Sequence, residues 1–420
     1  LTMNRLQALL IFLLPFLVSS FVMAQSDQEW TDYRGPNFNG YSDAKNVPLE
    51  WSDSTNIAWR TKLSGQGWSS PIILDGQIWI TSALNKGLDL YALCYDLKSG
   101  ELKHKTLVFK KDSVQAQHPL NSFASPTVAI EKGRVYTHYG AYGTACLNSK
   151  TGKVLWKRDE IYCDHEVGPG SSPIIYEDLL IFHMDGVDVQ YLIALDKKTG
   201  QTVWKRDRGL DFSALRFDEK KAFYTPIIHQ IDGIDQLVSP GPHAVMGYNP
   251  ETGEQIWIVR YKGFSGSARP LIHNNTLFIN TGFGNSSLVA IKLGGTGDLS
   301  KTNFLWESKK SMQARSSFLL IDDLLYMINT GGQAKCVNPE NGEIIWTARV
   351  GRHTSSSPFY AEGHIYTFDE EGLCTIFKPG KTFTKVNENQ LKSGSMASPA
   401  PIDGGIIIRT KTELIRIGDK

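Results

Sequence analysis

The 420-residue chain predicts an all-β fold: an eight-bladed β-propeller of four-stranded antiparallel blades. Three observations predict it. A Ser-Pro-like pair followed by an apolar run recurs eight times, at intervals of about 40–55 residues, which is the period of a propeller blade. Each start leads into the same order of turn, alternating strand, second turn and Trp-bearing strand, with no helical periodicity. The composition agrees, since 38 Gly, 10 Trp, 16 Tyr and 19 Phe fit many short strands and tight turns.

The starts are Ser70-Pro71, Ser125-Pro126, Ser172-Pro173, Thr225-Pro226, Arg269-Pro270, Ser317-Phe318, Ser357-Pro358 and Ser398-Pro399. A pair that tolerates positive φ comes next in most copies, as at Asp75-Gly76, Asp232-Gly233 and Asp403-Gly404, and such pairs favour hairpins. The cleanest later half of a unit is Ala-Leu-Asp-Lys-Lys-Thr-Gly-Gln-Thr-Val-Trp at 194–204. The Trp is replaced by His104 and Thr384 in two copies, and Trp306 follows an insertion at 294–300. The last unit ends at Ile417 after three strands, while residues 57–61 precede the first unit without a partner. Pairing these two segments completes the eighth blade, closes the ring and hides two strand edges.

The amino-terminal end reads as an address. Arg5 precedes an apolar stretch at 9–22 broken by Pro15, and Val22-Met23-Ala24 supplies small residues at the −3 and −1 positions of a cleavage site. The expected organisation is a signal peptide at 1–24, an extension at 25–55 and the propeller at 56–417. The expected location is periplasmic or secreted, with no lipid-anchor Cys and no transmembrane span in the mature protein. Lys plus Arg is 44 and Asp plus Glu is 43, a net charge of +1. That balance excludes a broad non-specific nucleic-acid binder, and no nucleic-acid partner is expected.

The Ala-x-Asp-x-x-Thr-Gly-x-x-x-Trp unit resembles the repeat of PQQ-like (quinoprotein-type) β-propellers. Two branches share that repeat: quinoprotein alcohol dehydrogenases, and the propeller subunit of the outer-membrane β-barrel assembly machine. The stretch Asp-Tyr-Arg-Gly-Pro-Asn-Phe-Asn-Gly at 32–40 resembles the lead-in of uncharacterised exported proteins with this repeat. In the family the repeat Trp packs between neighbouring blades. The resemblance therefore implies a structural role for Trp59, Trp156, Trp204, Trp257, Trp306 and Trp346.

The five cysteines do not read as a disulfide framework. Cys94, Cys146, Cys336 and Cys374 each lie six residues before a turn Gly, where other units carry Ala194 and Gly247. The position takes a small residue, and free Cys packs as one. Equivalent positions in different blades are too far apart for a disulfide. Cys163-Asp164-His165-Glu166 is the one local cluster with metal-ligand chemistry, but its spacing is not that of a closed zinc site. No metal is expected.

The resemblance to quinoprotein dehydrogenases implies PQQ with Ca²⁺, an adjacent-cysteine disulfide, a Glu–Asn–Asp calcium set and an Asp base. The sequence has no adjacent Cys pair. No cofactor and no catalytic residue are expected, and PQQ with Ca²⁺ remains the alternative. Function is looked for where loops crowd one mouth of the central channel. The loops entering each first strand hold Trp68, His118, Asn121, His165, Glu166, Arg216, Arg269, Arg315 and His353. The loops between second and third strands add His243, Asn285 and Asp369. Arg269 and Arg315 occupy almost the same repeat position, and converging cations would draw a small polar or anionic ligand. Replacing both arginines is expected to leave folding intact.

The functional expectation is thus an exported, non-catalytic binding or scaffold platform for a protein partner or such a ligand, set in the cell envelope or in outer-membrane assembly. The alternative is a PQQ-dependent oxidoreductase or another funnel-based enzyme.

Overall fold

The computed structural model describes residues 29–284, 286–310 and 312–418. The expected signal peptide at 1–24 lies outside the described residues. Eight sheets form the described molecule, each built on four antiparallel strands. Blade 1 is typical, with strands Ile72–Leu74, Gln77–Leu84, Asp89–Asp96 and Leu102–Lys110 in that order from the axis outward.

The ring closes as a composite eighth blade. Strand Ile57–Lys62 pairs antiparallel with Glu413–Gly418, placing Ile57 opposite Ile417 and Thr61 opposite Leu414. The inner strands Ala400–Ile402 and Gly405–Arg409 complete that sheet. Two segments far apart in the chain therefore make one blade, and Ile57–Lys62 covers the edge that Glu413–Gly418 would otherwise leave open.

Five of the six outer-strand Trp residues grip the next blade. The indole nitrogens of Trp59, Trp156, Trp204, Trp306 and Trp346 donate to the carbonyls of Leu97, Lys197, Pro250, Pro339 and Gly380, at 2.9–3.2 Å. Gly253 shows why the turn needs glycine. Its φ is +70°, and a Cβ there would sit 2.6 Å from the Trp204 ring. The small residue six positions before the turn has an equally local cause. Cys146, Ala194, Ala290 and Cys336 pair directly with Trp156, Trp204, Trp306 and Trp346 on the adjacent strand, which leaves room for little more than a methyl or thiol. All five cysteines are free and buried.

Trp257 departs from this pattern. Its nitrogen donates to Gln236 Oε1 of its own blade, and its ring presses on Gly247. The insertion at 294–300 has displaced the turn it would grip, and Gly297–Asp298 instead pairs in parallel with Trp257 and Ile258. Blade 7 lacks the outer Trp. There Trp51, from the amino-terminal extension, stacks on Phe368 and joins the apolar cluster shared by blades 7 and 8.

Candidate binding funnel

The repeat start builds a ring of hydroxyls around the channel. The backbone N–H of Ser70 donates to Thr127 Oγ1, Thr127 to Ser172 Oγ, and Ser172 to Thr225 Oγ1. The circle resumes from Arg269 to Ser317, Ser317 to Ser357, Ser357 to Ser398, and Ser398 back to Ser70. All seven bonds are 2.9–3.1 Å. The ring corrects the register in blade 2: the equivalent residue is Thr127, not Ser125. Arg269 is the one member without a hydroxyl.

Two residues earlier in each blade, the side chains form a second layer above the ring. It consists of Trp68, Ser125, Gly170 and Phe223, then Ser267, Arg315, Ser355 and Met396. This layer is the neck of a funnel of about 540 Å³ whose wider walls include His118, Asn121, Glu166, Lys221, Phe264 and Phe283. Below the neck a smaller chamber of about 110 Å³ reaches the hydroxyl ring and ends on Tyr33.

Tyr33 belongs to a stopper. Residues 30–42 cross the opposite end of the channel. Trp30 forms a backbone bridge with Ile73, and Tyr41–Ser42 runs parallel to Tyr360 and Ala361. The Arg34 guanidinium donates to the carbonyls of Phe318, Pro358 and Asn39. The contacts to Phe318 and Pro358 fall just beyond the ring, so among the described residues the funnel opens at one end of the channel. The lead-in motif at 32–40 now has a physical reading. Gly40, at φ +83°, is the spot where a Cβ would lie 2.2 Å from Arg34 Nη2, so only glycine lets the guanidinium reach its carbonyls.

The expected site residues divide. Trp68, His118, Asn121, Glu166 and Arg315 line the funnel together. Arg269 does not. It is buried beneath the ring, paired with Asp32 and lying over the rings of Tyr33 and Phe38 at 5.4 and 4.8 Å. Arg315 and Arg269 are therefore not equivalent, because one sits two residues before the ring position and the other on it. His165 is buried, its Nε2 accepting from the Ala141 N–H and its ring against Cys163 Sγ. Asp369 is buried and caps its own turn through the N–H groups of Glu371 and Leu373. Arg216 and His353 are exposed and pair with Glu219 and Glu371. His243 lies behind the wall, 6.2 Å from Phe264. Asn285 is outside the described residues.

The expected convergence of cations with few carboxylates is also corrected. Arg315 pairs with Glu370 at 3.2 Å, and Lys221 pairs with Glu166. The acidic partners come from other loops, which linear spacing does not bring together. Sequence reasoning missed Phe223 and Met396. The repeat register could have found both, because they stand where Trp68 and Arg315 stand. It also missed Lys221, Glu370 and the rim pair Phe264–Phe283, whose rings meet edge to face at 5.8 Å.

One buried cluster has the outline of a hydrolase triad. Ser171 Oγ lies 3.0 Å from His183 Nε2, and His183 Nδ1 lies 2.5 Å from Asp185 Oδ2. The same Nε2 also faces the Tyr224 carbonyl, and Arg208 binds Asp185 through two nitrogens at 2.7–2.8 Å. All four side chains are buried, and Ser171 lines neither the funnel nor the chamber. A nucleophile must meet its substrate, so this is an interior ion cluster joining blades 3 and 4. Burial alone would raise the Asp185 carboxyl, but Arg208 and His183 outweigh it and hold it below the usual range.

Among the described residues no three His, Cys, Asp or Glu side chains are grouped to hold a metal ion. The cysteines stand singly, and the funnel's charged groups are engaged with one another. These residues do not match the donor set of a quinone–calcium centre.

The fold and site define a class: an eight-bladed propeller with PQQ-like repeats, a stoppered channel and one open funnel. The family profile described as "Outer membrane protein assembly factor BamB" matches residues 49–160, 106–230 and 188–418, and the chain belongs to that family. Comparison with curated protein sequences gives no match. Among solved structures, BamB from Moraxella catarrhalis is 14% identical with a TM-score of 0.58, covering 86% of this chain and 99% of that one. Quinohemoprotein alcohol dehydrogenase from Comamonas testosteroni is 10% identical with a TM-score of 0.66, covering 93% and 81%. A europium-containing methanol dehydrogenase is 11% identical with a TM-score of 0.65, covering 93% and 89%. At these identities the likeness is one of fold. No helix among the described residues is long and apolar enough to cross a membrane.

Proposed function

We infer that this chain is an exported, non-catalytic platform that holds a protein partner at its funnel, within the cell envelope. The observation that carries this reading is the funnel mouth. Phe283 is 55% exposed and stands edge to face with Phe264 above a neck containing Trp68, Phe223 and Met396. Exposed aromatic anchors around a concave, rigid site are what a partner's apolar segment buries on binding. The charges nearby are already paired, so they set specificity at the rim rather than create a demand for an anion there. Membership of a family described as an assembly factor supports the same reading.

The test is site-specific photocrosslinking in envelope extracts, with the crosslinker at Phe283 and, as a control, at Lys205 on the outer strand of blade 3. Defined protein adducts from Phe283 alone are expected. Equal labelling at both positions would argue against the funnel. Dye-coupled alcohol oxidation after addition of PQQ and Ca²⁺ would overturn the non-catalytic reading.

A further inference from the structure

We propose that the hydroxyl ring below the funnel neck is a binding site for a compact monoanion, either a free halide or the carboxylate of a small ligand that enters through the funnel. The site is separate from the rim and independent of what docks there.

The ring hydroxyls are all more than nine-tenths buried. Each uses its oxygen to accept a backbone N–H from the preceding blade. Each therefore keeps a proton to donate. Among the described residues, no protein acceptor takes that proton from Ser70, Thr127, Ser172, Thr225, Ser357 or Ser398. All six line the 110 Å³ chamber. A buried donor left without an acceptor is costly, so six converging on one chamber ask for an acceptor at its centre.

Water could also meet that demand, since each ring oxygen keeps a second lone pair after accepting its backbone N–H. What favours an anion over water is the charge beneath the chamber. Asp32 is shared between Arg269 and the Arg34 N–H, while the Arg34 guanidinium donates only to carbonyls. Two cations and one carboxylate leave one positive charge in a poorly solvated floor, where it acts over longer range than in water. Burial raises the Tyr33 phenol above its ordinary value, so it stays protonated and adds a further donor at the base.

The test uses the wild-type protein. Crystals grown in sodium bromide should show an anomalous bromine peak inside the ring, and Tm should rise with bromide concentration against a gluconate control of equal ionic strength. With 4-bromobenzoate, a bromine peak in the neck above the ring would assign the site to carboxylate ligands. A bromide peak with no benzoate peak would assign it to free halide. Arg34→Gln keeps amide donation to the carbonyls and removes the charge, and bromide affinity should fall several-fold. Water alone in the ring at high bromide and benzoate would overturn the proposal. So would a bromide affinity unchanged by Arg34→Gln.

Discussion

Arg269 and Asp32 form a largely buried ion pair across 237 positions of chain, and this contact anchors the stopper at the one ring position that lacks a hydroxyl. The side chain that interrupts the circle of hydroxyls is thus the one that turns away from the funnel to hold residues 30–42. The departure from the repeat at this position thus adds a side-chain anchor to the backbone pairing and the Arg34 bonds that already hold the stopper.

The two arginines should consequently part company on mutation. Arg269→Ala removes the partner of a nearly buried carboxylate and the cation over two aromatic rings, and should destabilise by about 3 kcal/mol. Arg315→Ala breaks a pair whose guanidinium is 39% exposed and should change stability by less than about 1 kcal/mol. Urea unfolding midpoints measure both. Equal effects would refute the placement of Arg269 beneath the ring.

Trp51 stands in for the missing outer Trp of blade 7. Trp51→Ala should cost about 3–5 kcal/mol, as a buried large-to-small change does, and should raise hydrogen exchange first in Glu413–Gly418 and Ile57–Lys62. Exchange that rises first in blades far from the closure would contradict this account.

Gly253→Ala tests the blade-to-blade grip. At φ +70° and with the new methyl 2.6 Å from the Trp204 ring, it should destabilise by more than about 1 kcal/mol. Gly233→Ala, at φ +79° with open space around it, meets only the backbone penalty and should cost less. A Tm series on the two variants separates steric contact from backbone strain.

Acid should weaken the fold well before carboxylates protonate. Burial lowers His138 to about 3 and His165 to about 4, so both stay neutral in the folded state, while an unfolded histidine protonates near 6.5. The unfolded state then binds more protons as pH falls below that value. Stability is complete above pH 6.5 and declines toward pH 4, by up to about 1.4 kcal/mol per pH unit for each histidine. Urea midpoints between pH 7 and pH 5 check this, and a flat profile would exclude it. Asp185 adds its loss lower, as pH falls through its depressed value.

Most of the architecture was legible in the chain alone. Blade number, the small-residue position before the turn Gly and the pairing of residues 57–61 with the last strands all follow from local pattern. Alternation, turn residues and spacing repeat wherever the same backbone geometry repeats. The membership of the funnel was not legible. Arg269 and Arg315 differ by two residues of repeat register, which is about 7 Å along a strand, enough to put them on opposite sides of the hydroxyl ring. The carboxylates that neutralise Arg315 and Lys221 arrive from loops 55 residues away, and the stopper arrives from outside the repeat altogether. Periodicity carries no information about such meetings, because they are decided only when the ring closes and brings distant loops onto one axis.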